Sequence, residues 1–143
     1  MTRPGFTILG IDPGLKGALA FYAPEAPRFV TVDDMPVVKQ EVDPAALKRR
    51  IAQIGPDVAI VERVAARPGQ GVASMFNFGC GYGMVQGVIA ALEIPIHLVT
   101  PFAEPGRWRI STIPASSTLR PSLLFIASAQ VTIRRFWSSP RTN

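Results

Sequence analysis

Short apolar runs, each broken by glycine, proline or charge, organise the first hundred residues. Phe6 to Ile11 is apolar and partly β-branched, and it closes on Asp12. Pro13-Gly14 makes a turn, and Gly17 to Tyr22 reads as a second strand. A proline-bearing turn from Ala23 to Pro27 leads to a third strand over 28–32, so the chain opens as an antiparallel meander. Asp43-Pro44 has the N-cap and first-turn proline signature of a helix. Ala46, Leu47, Ile51 and Ile54 form its apolar stripe, and Gly55-Pro56 stops it. Asp57 to Val61 is a compact apolar run suited to a buried parallel strand, ending on Glu62. A polar loop over 63–70 precedes a second helix from about Gly71 to Leu92, and Ile94 to Thr100 makes a fifth strand. The order β-β-β-α-β-α-β predicts an α/β fold: a mixed sheet, three antiparallel strands then parallel ones, flanked by helices.

Composition adds limits. A chain of 143 residues has room for one core, and 48% hydrophobic residues mark it as globular. Its apolar stretches are too short and interrupted for a membrane span, and the start lacks the apolar segment of a signal peptide. The single cysteine, Cys80, excludes a disulfide framework and a cysteine-based zinc cluster. The expected compartment is the cytoplasm.

The charge is uneven. Up to Glu104 there are nine Lys/Arg and ten Asp/Glu, whereas 105–143 holds six Arg and no acid. The formal charge of +5 therefore belongs to the last third. It suggests nucleic acid only as far as that third is authentic.

Asp12 and Glu62 carry the chemistry. Each closes an apolar strand run and precedes a turn or loop. With the first and fourth strands side by side, both project at one sheet edge. Mg²⁺ prefers one or two carboxylates plus water and substrate phosphates, and a pair of such ions about 4 Å apart clamps a phosphodiester for in-line attack. The plainer account is that Asp12 caps a turn and Glu62 is a strand-end surface charge.

Ile8-Leu9-Gly10-Ile11-Asp12-Pro13-Gly14, followed by Gly17, resembles the opening motif of the RuvC family of Holliday-junction resolvases. Val58-Ala59-Ile60-Val61-Glu62 resembles its second motif. Arg67 to Gly79, with Tyr82-Gly83, is similar to the phage and prophage branch, and Thr100-Pro101 also fits. The resemblance covers residues 6–101. It implies a ribonuclease H-like fold, a homodimer, and Mg²⁺-dependent cleavage of four-way DNA junctions in recombination and repair, with Mn²⁺ as a substitute. Asp12 matches the residue that bridges both metals and Glu62 a ligand of one. Residues 63–74, with Arg63, Arg67, Gln70 and Ser74, are expected to face DNA, as is Asn77. Lys16 either meets a phosphate or is a solvated turn lysine. Phe76 and Phe78 either stack on an opened base or belong to the core.

Gly79, Gly83, Gly87 and Ala91 recur every four residues along the second helix. Each interior glycine costs about 1 kcal/mol against alanine, so the smooth ridge points to close packing, on the helix's own sheet or between two helices of a dimer. His97 and Cys80 read as structural residues, and Asp33-Asp34 as an exposed turn.

The pattern breaks after 101. The resemblance calls for further acidic residues, or a His and an Asp, about three apart on a C-terminal helix. Residues 105–143 hold no Asp, Glu or His, and no amphipathic helix of useful length. At ordinary composition such an acid-free stretch has odds on the order of 1%. Eleven Ser/Thr, six Arg and no Lys suggest translation out of frame soon after Pro101. The expected organisation is an incomplete ribonuclease H-like domain over 1–101, without its C-terminal helix, and an aberrant basic tail over 102–143; the alternative is an authentic Arg/Ser-rich extension that binds nucleic acid. With two carboxylates only, nuclease activity is expected to be very weak or absent. The competing account is a non-catalytic module that grips branched DNA. The actin and sugar-kinase fold also opens with strand, Asp and Gly. It needs a hydroxyl-bearing phosphate loop where this chain has Leu15-Lys16.

Overall fold

The computed structural model describes residues 5–26, 30–64, 69, 71–101 and 108–110. The strands are β1 (Ile8–Ile11), β2 (Ala18–Tyr22), β3 (Val30–Asp34), β4 (Val37–Val38), β5 (Glu41–Val42), β6 (Val58–Glu62), β7 (Ile96–Pro101) and β8 (Trp108–Ile110). The helices are α1 (Pro44–Ile54) and α2 (Val72–Ala91). One six-stranded sheet has the order β3-β2-β1-β6-β7-β8, and β4 and β5 pair as a separate hairpin. β1 to β3 run antiparallel, β1-β6 and β6-β7 pair in parallel, and β8 returns antiparallel to β7. The mixed sheet expected from the sequence is therefore present.

The register of β1 on β6 is set at its start. Thr7 N–H donates to the Asp57 carboxylate at 2.8 Å, and Asp57 N–H donates to the Thr7 carbonyl at 2.8 Å. From there Ile8 pairs with Val58 and Ile11 with Val61.

Alternation along the strands divides two apolar faces. Leu9, Ile11, Leu19, Phe21, Ala59 and Val61 pack with Leu47 and Ile51 of α1 and Val85 and Ile89 of α2. The opposite face gathers Ile8, Tyr22, Val58, Ile60 and Val99. α1 forms as its caps dictate. Asp43 accepts from Ala45 N–H and Ala46 N–H at 2.9 and 3.0 Å, and Gly55 closes it at φ 65°.

Local pattern misplaced two segments. β3 takes in Asp33 and Asp34, which pair with Leu19 and Ala18 instead of forming an exposed turn, while residues 28–29 of the expected strand lie outside the described residues. Pairing along the whole of β2 overrides the poor strand propensity of aspartate. Asp33 then faces α1, where the Arg50 Nε reaches its Oδ2 at 2.6 Å while the guanidinium covers the Phe21 ring. The β4–β5 hairpin was not anticipated, because Lys39-Gln40 carries none of the glycine or asparagine that signals a two-residue turn. β8 lies inside the stretch expected to be an aberrant tail. Residues 102–107 and 111–143, and with them the expected absence of a C-terminal helix, lie outside the described residues, as do Arg67 and Gln70. Although α2 is apolar, no helix among the described residues is long and apolar enough to cross a membrane.

Candidate functional site

Counting the β1–β6 register one residue past Ile11 and Val61 places Asp12 opposite Glu62. Both follow the even-numbered face that carries Ile8, Gly10, Val58 and Ile60, the face away from the two helices. Neighbouring strands lie about 4.8 Å apart, so the two acidic residues occupy adjacent positions at the C-terminal ends of β1 and β6. Glu62 is buried and Asp12 half-buried.

The turn after Asp12 explains the glycines of its motif. Gly14 N–H approaches the Asp12 carboxylate at 3.4 Å, and Gly17 N–H donates to the Gly14 carbonyl at 2.8 Å. Asp12 N–H donates to the Ala18 carbonyl at 3.0 Å, so the chain re-enters the sheet directly beside Asp12. A Cβ on Gly17 would collide with the Asp12 carbonyl and sit 2.7 Å from that of Gly14. Only glycine allows this crossing.

Other acidic or ligating side chains stay apart. Asp34 shares the cross-strand row of Asp12 and Glu62 but sits two strands away from Asp12, beyond Ala18. His97 pairs with Ile60 one row behind Glu62, on the same face, and its buried Nδ1 has no hydrogen-bond partner among the described residues. Cys80 is exposed on α2. Among the described residues no group of three or more His, Cys, Asp or Glu is gathered to hold a metal ion. The pair Asp12–Glu62 is therefore the acidic feature of the site.

Of the residues expected to face DNA, Arg67 and Gln70 lie outside the described residues and the others are exposed. Lys16 is exposed in the β1–β2 turn, and Arg63 is exposed directly after Glu62. Ser74, Phe76 and Asn77 are exposed on the first turns of α2, Phe76 at 70%. Phe76 is thus not a core residue. Phe78 stacks on Tyr82, with ring centroids 6.5 Å apart.

The glycine ridge faces outward as well. Among the described residues a Cβ on Gly79, Gly83 or Gly87 would meet nothing within 4 Å, so the ridge does not serve packing on the described sheet. Gly81, on the inner face, is the position where the Val42 methyl comes close, 3.4 Å from an added Cβ.

No family model matches the chain, and no curated protein matches it by sequence. Among solved structures it is similar to T. thermophilus RuvC in complex with Holliday junction substrate, at TM-score 0.52 and 18% identity. The likeness covers 67% of this chain and 65% of that one. The chain has the RuvC fold. Thermus thermophilus RuvC in a second structure gives TM-score 0.48 and 19% identity, over 67% of this chain and 64% of that one.

What the sequence missed is positional. By pattern Asp57 is only the first residue of a strand run; its carboxylate is the register clamp. Lys39 and Gln40 give no signal, since polar residues between short runs are ordinarily solvated.

Proposed function

We propose that the chain is a structure-selective DNA endonuclease of the RuvC kind, acting on phosphodiester bonds at four-way junctions. The observation that supports this best is the placement of Asp12 opposite Glu62 at the C-terminal edge of a RuvC-like sheet. The RuvC whose fold it shares is a protein solved on a Holliday junction substrate.

Two carboxylates on neighbouring strands suit Mg²⁺, or Mn²⁺ in its place, since each accepts carboxylate oxygens together with water and phosphate. A metal held by Asp12 and Glu62 would supply an acidified water and a counter-charge for the departing 3′ oxygen. Lys16, Arg63, Arg67, Gln70, Ser74 and Asn77 hold the sugar-phosphate backbone, which gives affinity and orientation without sequence choice. Phe76 stacks on a base opened at the junction. A homodimer, joined along the outward glycine ridge of α2, presents two such edges to the two-fold symmetric junction.

Two carboxylates hold a second metal poorly, so cleavage is slow in the chain as it stands. The second reading, a module that grips branched DNA without cutting it, is favoured by the absence of a third ligating group among the described residues. A labelled four-way junction separates the two. Slow cutting in Mg²⁺ or Mn²⁺ that disappears in Asp12→Asn supports the endonuclease. Tight binding in EDTA without cutting in either metal supports the module, and no junction binding at all overturns both. Robust cutting would overturn the expectation of an impaired site.

A further inference from the structure

The β4–β5 hairpin has a conformation its sequence does not favour. Lys39 and Gln40, its two turn residues, have φ of 49° and 62°, the left-handed region that a type I′ turn requires and that glycine or asparagine usually fills. A non-glycine residue held there is strained, because its Cβ crowds the following carbonyl oxygen. The tip persists because β5 is anchored: Val42 is buried and packs against α2 at Gly81, and Asp43 N–H donates to the Pro36 carbonyl at 2.9 Å.

The hairpin forms one wall of an open groove of about 780 Å³. The opposing walls are the turn after Asp12, with Leu15 and Lys16, and the first turns of α2, with Phe76 and Asn77. The first of those walls continues the chain directly from Asp12, and α2 follows Glu62 in sequence after residues 63–71. Lys16 and Lys39 are exposed on different walls, and Glu41 is the one acid among the described lining residues, so the described lining carries a net positive charge. Exposed Phe76 adds an aromatic surface on the α2 wall. Lysines beside an exposed aromatic ring match an unpaired nucleic-acid strand, whose phosphates meet the lysines and whose bases meet the ring.

We infer that this groove holds an unpaired DNA strand leading to the Asp12–Glu62 edge, and that Lys39 at the hairpin tip contacts its backbone. The inference rests on the DNA-binding reading above and adds the hairpin to it. The strained tip serves to hold Lys39 over the groove.

The test is binding of the full chain to a labelled four-way junction and to an oligo-dT strand in EDTA, across a salt series. Lys39→Ala is expected to weaken both complexes roughly fivefold to tenfold and to lower the salt slope by about 0.7 to 1, with Lys39→Arg close to the parent. Lys39 is exposed, so unchanged circular dichroism and thermal unfolding confirm that the hairpin variant is folded. Parent-like affinity and slope in Lys39→Ala overturn the inference while leaving junction binding intact. Loss of self-association in sedimentation, with DNA affinity unchanged, assigns the groove to a second copy and also overturns it. A parent chain that binds neither DNA overturns the functional reading itself.

Discussion

Thr7 and Asp57 exchange two hydrogen bonds of 2.8 Å at the start of β1 and β6, five residues before the carboxylates those strands carry. The pair fixes the strand register, and register decides which residue stands opposite Glu62. A slip of one residue would send Asp12 to the helix-covered face. Asp57→Ala leaves the half-buried Thr7 amide without its acceptor, and is expected to destabilise the fold by about 1–3 kcal/mol in urea unfolding. Asp57→Asn, which keeps one acceptor oxygen, should recover part of that loss. Parent-like stability of the alanine variant would show that core packing alone holds the register.

Gly17→Ala tests the turn behind Asp12. The added methyl meets the Asp12 and Gly14 carbonyls, which are backbone and cannot swing aside. The expected cost is about 1–3 kcal/mol of stability, as for other overpacked sites. A drop in divalent-cation affinity should accompany it, because Asp12 must move. Gly71→Ala is the control, since an added Cβ there meets nothing. If both variants unfold at the same temperature, the crossing is looser than its geometry indicates.

How far the sequence spoke depended on whether the physics was local. Asp12 and Glu62 were legible because each ends an apolar run, a pattern carried within six residues. Their convergence was not, since it depends on the Thr7–Asp57 alignment between strands fifty residues apart. The α1 caps were read correctly from Asp43-Pro44 and Gly55, where side chain and backbone act on each other directly. β3 was misjudged because Asp33 and Asp34 are poor strand formers held in place by β2 and, for Asp33, by Arg50 from a later helix. The hairpin escaped notice for the opposite reason: its turn residues are wrong for the turn they make. For the glycine ridge, spacing gave the close-packing surface but not its direction, which follows from how α2 rolls on α1 and the sheet.

That direction makes the ridge testable. In a monomer, Gly83→Ala fills open space in a helix and should raise stability by about 1 kcal/mol. In a dimer joined along α2, the same methyl pushes two helices apart. Analytical ultracentrifugation is expected to show self-association in the parent, weakened in Gly83→Ala and abolished in Gly83→Leu. A parent that sediments as a monomer at every concentration, with Gly83→Ala simply more stable, would leave the ridge without a partner helix.

The last expectation concerns the carboxylates themselves, and it separates binding metal from cutting DNA. Asp12→Asn and Glu62→Gln each keep shape and remove one charge, so folding should change little. Mn²⁺ affinity, followed by isothermal calorimetry, is expected to fall at least tenfold in either variant, because a divalent ion held by two carboxylates loses half of the protein's charge. The parent should bind one equivalent of Mn²⁺ per chain, since the described residues gather two carboxylates and no third ligating group. One equivalent with slow cutting fits a half-built metal clamp. Two equivalents would mean that further ligands come from outside the described residues, and cutting should then be fast. If Mn²⁺ binds the double variant Asp12→Asn/Glu62→Gln as well as the parent, the sheet edge is not a metal site, and the two carboxylates are only the ends of two strands.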